Sequence, residues 1–330
     1  MLHDKKIEFA NYKIGTPKKC KKQDITIKIG YFREVLILGA IDIGSNAARL
    51  LIAEVQEQNG LTHYTKLNLL RIPLRLGFDV FEHGRIRRDK TRLLIKTMKT
   101  FKLLLDLYEV EHFRIYATSA MRDASNSKEI IRRVKLSSGL KIEVISGTEE
   151  ANILYENHLS ANLIPGNVQL FVDVGGGSTE ITLYIDNEVI QKESFNIGTI
   201  RLLQNHSPDE EWQRMKLFLK THAKNIEGLQ VIGSGGNINK VFSISKMKDG
   251  KPLSVNFIKK FHAEIQPLSL EERMLRYNLR EDRAAVIAPA LHIYIHILKW
   301  SGRSEIFVPK IGLADGIIKK LYQDIQKTSL

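Results

Sequence analysis

Apolar and polar residues follow two different periods along this chain, and the switches between them mark its elements. Residues 35–43, VLILGAIDI, are a nearly continuous apolar run that predicts a buried strand. Residues 48–55, ARLLIAEV, predict its hairpin partner across Gly44, Ser45 and Asn46. From 88 to 108 the apolar positions return at helical spacing. A short strand is expected at 113–120, FRIYATSA, and then a helix, SKEIIRRVKLSSG, that stops at Gly139. KIEVIS predicts a further strand, and SGTEEANILYENHLS (146–160) opens a helix with Ser146 and Glu149 at capping-box spacing. The strand pattern restarts at 168–174, VQLFVDV, and strands and helices alternate to the end, which is the pattern of an α/β protein.

The restart is also a repeat. LGAIDIGSNAARLLI (38–52) and QLFVDVGGGSTEITLY (169–184) both run from an apolar strand through Asp, a β-branched residue, Gly and two small residues into a second strand. Asp42 to Asn46 therefore matches Asp173 to Gly177. Two related half-folds would each present an Asp and a tight turn to a cleft between them. Glycine weakens a strand by roughly 0.5–1 kcal/mol relative to alanine, so Gly175, Gly176 and Gly177 imply that something approaches this backbone closely. Successive N–H groups in a glycine-rich turn form an anion nest, and a phosphate chain is the expected visitor. A bulge or tight hairpin would account for one such turn alone. The duplication favours phosphate.

Composition narrows the class. A chain of 330 residues suggests two domains. The single cysteine, Cys20, excludes a disulfide framework and a cysteine metal cluster. The N-terminus is polar and lysine-rich, unlike a signal peptide. The most apolar run, AAVIAPALHIYIHIL (284–298), is shorter than a spanning helix, so no membrane partner and a cytoplasmic location are expected. His292 and His296 stand four apart within it, and their apolar surroundings predict packed core histidines rather than metal ligands. The net charge is +13, and residues 1–34, with nine Lys/Arg against four Asp/Glu, are expected to be a basic, flexible tail. The surplus suits a polyanion, and with no aromatic-basic RNA motif or zinc finger no specific nucleic acid is expected.

Six motifs resemble the Ppx/GppA phosphatases, the exopolyphosphatases and guanosine pentaphosphate phosphohydrolases of the actin-like superfamily. They are AIDIGSNAARLLI, ATSAMRDASN (117–126), VISGTEEANILY (144–155), FVDVGGGSTEIT, IGTIRL (197–202) and VIGSGGNINKV (231–241), in that order. The resemblance implies an α/β fold of two actin-like (ribonuclease H-like) domains with an interdomain cleft. They would span 35–158 and 159–305, with a last helix at about 306–330 packing back on the first. It implies Mg²⁺-dependent hydrolysis of the terminal phosphoanhydride of inorganic polyphosphate, with pppGpp as a second substrate. Longer exopolyphosphatases carry a further C-terminal helical domain, and VPKIGLADGIIKKLYQDIQ reads as the close of the two-domain core. Members often form homodimers.

The resemblance also implies the site. Glu150 would be the general base, in the first turn of a helix whose dipole favours its ionised form. Adjacent helical residues point about 100° apart, so only one of Glu149 and Glu150 can face the cleft. Asp173 and Glu180 resemble the metal-site carboxylates, with Asp42 as a third, and hard oxygen ligands suit Mg²⁺. Gly175, Gly176, Gly177, Ser178 and Thr179 would cradle phosphates, with Ser45 and Asn46 on the opposite wall. Arg49 and Arg122 would bind phosphate through bidentate donors, with Arg201 a weaker candidate. Asn126 would serve the site or cap the following helix. Gly233, Gly235 and Gly236 would line the nucleotide side of the cleft or merely permit a strand-to-helix turn. Two other functions share these features: a non-catalytic (p)ppGpp sensor, and a sugar- or acetate-type kinase.

Overall fold

In the computed structural model, which describes residues 35–58, 60–160, 168–310 and 312–328, the two Asp-ending apolar runs become the central strands of two sheets. The expected tail, 1–34, lies outside the described residues. In the first half, β1 (Leu36–Ile43) turns into β2 (Ala47–Gln58), and β3 (Leu61–Pro73) adds outside it. Then follow α1 (Leu76–His83), α2 (Arg88–Leu107), β4 (His112–Ala117), α3 (Ser119–Asp123), α4 (Ser127–Ser138), β5 (Glu143–Val144) and α5 (Gly147–Ser160). The second half repeats the opening with β6 (Val168–Val174), β7 (Thr179–Ile185) and β8 (Glu188–Phe195). After these come α6 (Thr199–Leu203), α7 (Asp209–His222), β9 (Gln230–Ser234) and α8 (Gly236–Ser245). The chain closes with β10 (Leu253–Ser254), α9 (Val255–Ile265), α10 (Leu270–Tyr277), α11 (Glu281–Ala284), α12 (Ile287–Ser301), β11 (Glu305–Ile306) and α13 (Leu313–Thr328).

The sheets share one topology. The first runs β3-β2-β1-β4-β5 and the second β8-β7-β6-β9. In each, an antiparallel meander is joined by a strand parallel to the first. β1 and β6 are covered on both faces, which is why they read as apolar runs rather than alternating ones. β3 escaped the sequence pattern because it is an edge strand exposed at most positions, so neither of its faces demands an apolar set. Two expected strands are shorter than the sequence suggests. The segment 113–120 turns helical at Ser119, and KIEVIS keeps only two paired residues, at the sheet edge beside β4.

Packing joins the halves. One face of the first sheet packs Ile41, Leu50 and Ile115 against Leu94, Met98 and Phe101 of α2. On the other face Leu38, Ala40 and Leu51 meet α13 through Ile317 and Leu321, together with Phe171, Tyr184 and Ile232 of the second sheet. This shared cluster makes 35–330 one compact unit. The second sheet covers its remaining face with α7, α8, α9 and α12. Residues 281–301, α11 and α12 with a turn at 285–286 between them, reach a mean hydropathy of 1.2 over their most apolar 18 residues, and the span is long and apolar enough to cross a bilayer. That corrects the expectation that this run is too short. Two thirds of its most apolar stretch is buried in the protein, and it packs as a core helix.

Candidate active site

Equal registers place the two aspartates alike. Asp42 stands opposite Arg49 across β1 and β2, and Asp173 stands opposite Glu180 across β6 and β7. Their chemistry diverges there. Arg49 Nη1 donates to Asp42 Oδ2 at 2.5 Å. Asp173 instead faces a second carboxylate, and both are buried. Serines offset part of that cost. Ser234 stands beside Asp173 in the β6–β9 register. Ser194 Oγ donates to Glu180 Oε1 at 3.0 Å, and Ser178 bonds the same carboxylate.

Glu150 joins them from α5. Ser146 Oγ accepts the Glu149 N–H at 3.1 Å, and the Ser146 carbonyl accepts the Glu150 N–H at 3.0 Å, which sets the first turn. Glu149 is half-buried, whereas Glu150 is 9% exposed and lines the cavity between the halves. Gly147 lets α5 sit against β7 and β8: a Cβ there would stand 2.9 Å from Ser194 Oγ and 3.2 Å from Glu180 Oε1. Burial pushes the Glu150 carboxyl well above its usual range, and the charges of Glu180, Asp173 and Asp42 push the same way, against Arg122. Burial raises Asp173 to about 6. Burial, then the charge of Asp173, raises Glu180 to about 7. Glu150 Oε2 is buried with no hydrogen-bond partner.

This donor set fits a divalent cation. Buried carboxylates that repel one another, one with an orphaned oxygen, are what a positive charge would relieve. Among the described residues no three His, Cys, Asp or Glu side chains are gathered to hold an ion by themselves. Mg²⁺ takes one or two protein carboxylates and keeps several waters, so the set suits a hydrated ion.

The cavity holds about 450 Å³. Asp42, Ser45, Asn46 and Arg49 line one wall, and Asp173, Gly175, Gly176 and Ser178 the facing one, with Gly235 and Gly236 beside them. Gly177, Thr179, Glu180, Arg122 and Gly233 do not line it. Arg122 Nη1 donates to the Ile145 carbonyl at 3.0 Å, and Thr179 Oγ1 to that of Ile197 at 2.5 Å. Gly233 backs onto Ile306 and Tyr294. The close visitor at two of the three glycines is the protein itself. A Cβ on Gly176 would lie 2.8 Å from Ser45 Cβ, and one on Gly177 would lie 2.3 Å from the Phe81 ring and 2.7 Å from Ser119 Oγ. Gly235, with φ of 115°, is the glycine whose backbone conformation excludes a side chain.

Other candidates have structural partners. Arg201 spans the halves, donating to the Gly177 carbonyl at 2.8 Å, pairing with Asp123 and lying over the Phe81 ring. Asn126 bonds both backbone groups of Ile86 and makes no side-chain cap. His292 and His296 are half-buried among Trp212, Trp300 and His262. Sequence reasoning missed a cationic side of the cavity: Arg71 from β3, Arg283 from α11, and Lys66, Lys240 and Lys310. Asp282 pairs with Arg71 at 2.5 Å, yet Arg71 Nε and Nη1 are buried without hydrogen-bond partners. Burial, then the charges of Arg71 and Arg49, lowers Arg283 to about 10. No local motif announces this cluster, because its members come from widely separated segments.

Two sheets of matching order, each offering an Asp-bearing turn to a shared cavity, define an actin-like α/β protein. The Ppx/GppA phosphatase family pattern matches residues 51–324, and the chain belongs to that family. A bifunctional 3-dehydroquinate synthase/phosphatase of Fusobacterium nucleatum is 32% identical over 221 residues, 63% of this chain and 33% of that protein. Exopolyphosphatase 1 of Mycobacterium tuberculosis is 28% identical over 182 residues, 55% of this chain and 52% of that one. The chain thus spans about a third to a half of the length of these curated relatives. The crystal structure of the Aquifex aeolicus Ppx/GppA family member matches with a TM-score of 0.70 and 28% identity, covering 90% of this chain and 100% of that one. An exopolyphosphatase from Cytophaga hutchinsonii shares the fold with a TM-score of 0.76 at 24% identity, over 87% of this chain and 98% of that one.

Proposed function

We propose that the chain hydrolyses the terminal phosphoanhydride of inorganic polyphosphate, with pppGpp as a second substrate and Glu150 as general base. The observation that carries this is Glu150 itself: a buried carboxylate with an unpartnered oxygen, on a cavity that both Asp-bearing turns line. Phosphoryl transfer needs positioning and charge neutralisation more than covalent chemistry. Ser45, Asn46 and Ser178, with the Gly176 amide, would hold the terminal phosphate, and Arg49 would bind its oxygens. Arg71 and Arg283 would receive the phosphates behind it, where their mutual repulsion favours an anion. Asp173 would be the direct carboxylate ligand of a hydrated Mg²⁺, with Asp42 and Glu180 acting through its waters, and the ion when bound neutralises developing charge on phosphate oxygens. Glu150 would hold the attacking water and take its proton, which requires the carboxyl to be ionised, and a cation offsetting the charges of Glu180, Asp173 and Asp42 would favour that form against burial.

The test is phosphate release from short polyphosphate, long polyphosphate and pppGpp, with wild type beside Glu150→Gln. Release by the wild type and a loss of roughly 10²-fold or more in the variant are expected. Equal rates would remove Glu150 from the role, and tight (p)ppGpp binding without turnover would replace hydrolysis with sensing.

A further inference from the structure

The outer face of the first half carries most of the charge. Residues 85–107 and 127–141, which contain α2 and α4, hold thirteen Lys/Arg against three Asp/Glu, a net of +10 in a chain whose total is +13. The two helices pack side by side, Leu94, Met98 and Phe101 joining a common core with Ile130 and Val134, so their outward faces form one layer. None of these cations lines the cavity. Among the described residues Arg88, Arg92, Lys96, Lys99, Arg132 and Lys135 are exposed and have no ion-pair partner.

The same layer exposes leucines. On α2 the sequence Arg88, Arg92, Lys96, Lys99, Leu103, Leu107 advances by steps of three and four, so these residues share one stripe. Leu103 is 69% exposed and Leu107 75%, and on α4 Leu136 is 79% exposed. A polyanion in solution would pair with the cations and leave the leucines in water. An anionic bilayer surface takes both, since its headgroups meet Lys and Arg while leucines enter the headgroup–acyl boundary. We propose that the α2/α4 face docks the protein on an anionic phospholipid surface. The sequence-based expectation of no membrane partner rested on spanning segments, and this contact is made from one side.

The full chain is to be floated with phosphatidylcholine vesicles with and without phosphatidylglycerol. Binding is expected only with phosphatidylglycerol, and weaker at high salt. A fall of about tenfold or more is expected both for Arg92→Glu/Lys96→Glu/Lys99→Glu and for Leu103→Ser/Leu107→Ser/Leu136→Ser. All six side chains are exposed or on the outer layer, and an unchanged melting temperature certifies the fold of each variant. No flotation of the wild type overturns the proposal. So does a leucine variant that still floats normally, and polyphosphate or RNA binding that the same charge reversals abolish would then assign the face to a soluble polyanion. Phosphate release from short polyphosphate is expected to be unchanged in both variants, so failure here and failure of the proposed hydrolysis are separable.

Discussion

Asp42 and Asp173 occupy the same register position, yet one is neutralised by Arg49 and the other faces Glu180. The difference makes the second turn costly when empty. Asp173 ordinarily titrates at 3.8 and is raised to about 6, and Glu180 moves from 4.5 to about 7. Carboxyls raised in the folded state add stability below their unfolded values and lose it as pH rises through the folded ones. Between pH 3.8 and about 7 the cation-free site therefore loses stability with rising pH, by roughly 3 kcal/mol for Asp173 alone on the usual scale of 1.36 per unit. A bound cation reverses the sign. The melting temperature gained on adding Mg²⁺ is expected to grow from pH 5 to pH 8 and to shrink in Glu180→Gln, whereas a pH-independent gain would place the cation elsewhere. Glycine use is equally local. Gly177→Ala drives a Cβ into Phe81 and Ser119 and is expected to cost about 1–3 kcal/mol in urea unfolding. Gly44→Ala, whose nearest neighbour would be 3.5 Å away, is expected to stay within about 0.5 kcal/mol, and equal costs would refute the packing account.

At the scale of elements, helix starts and helix faces carry the consequences. α5 begins at Gly147 because its first turn must lie against Ser194 and Glu180, and that contact delivers Glu150 to the cavity. The capping-box spacing at Ser146 and Glu149 was legible in sequence. That Gly147 is a contact residue was not, since β7 and β8 follow it only after α5 and β6. α12 shows the opposite case. Its histidine pair reads as core in sequence, but both rings are half-buried, and His262 of α9 and both tryptophans of the chain complete the cluster. Burial, then His296 and His262, lowers His292 from 6.5 to about 4. Arg273 also faces this group through His262, which is lowered too. The unfolded chain then binds more protons between pH 4 and 6.5, so the cluster's contribution is full above 6.5 and is lost as pH falls towards 4. This opposes the cleft carboxylates over part of the same window, so it is read as a difference. The melting temperature of His292→Gln is expected to fall less than that of the wild type from pH 6.5 to 4.5. Parallel curves would show that His292 is not the titrating group.

The whole molecule has a cavity bridged on two sides. Asn46 Nδ2 donates to the Asp282 carbonyl at 3.0 Å and Arg75 pairs with Glu281 at 2.9 Å, while Gln204 Nε2 of the segment after α6 donates to the Phe78 carbonyl at 2.9 Å. Short polar links of this kind can break and reform, unlike the shared apolar cluster beneath them. Closure over substrate is therefore expected at the cavity and not at the α13 side. Solution scattering of Glu150→Gln, which should bind without turnover, is expected to show a smaller radius of gyration with polyphosphate than without. An unchanged radius would mean that the two turns already stand at their working separation.

The linear sequence by itself determined the repeated Asp-ending hairpins, the burial of β1 and β6, and the start of α5, because each depends on neighbours within a few residues or on one periodicity. It also carried the family motifs. What it left open was decided by tertiary structure: which turn groups face the cavity and which face the opposite half, that Arg71 and Arg283 meet, and that β3 borders the first sheet. Those outcomes depend on groups such as Ser45 and Ser119, 2.7 Å apart, or Arg71 and Asp282, which are distant along the chain. Nothing local encodes such distances. They arise only when two separately patterned sheets pack on a common core.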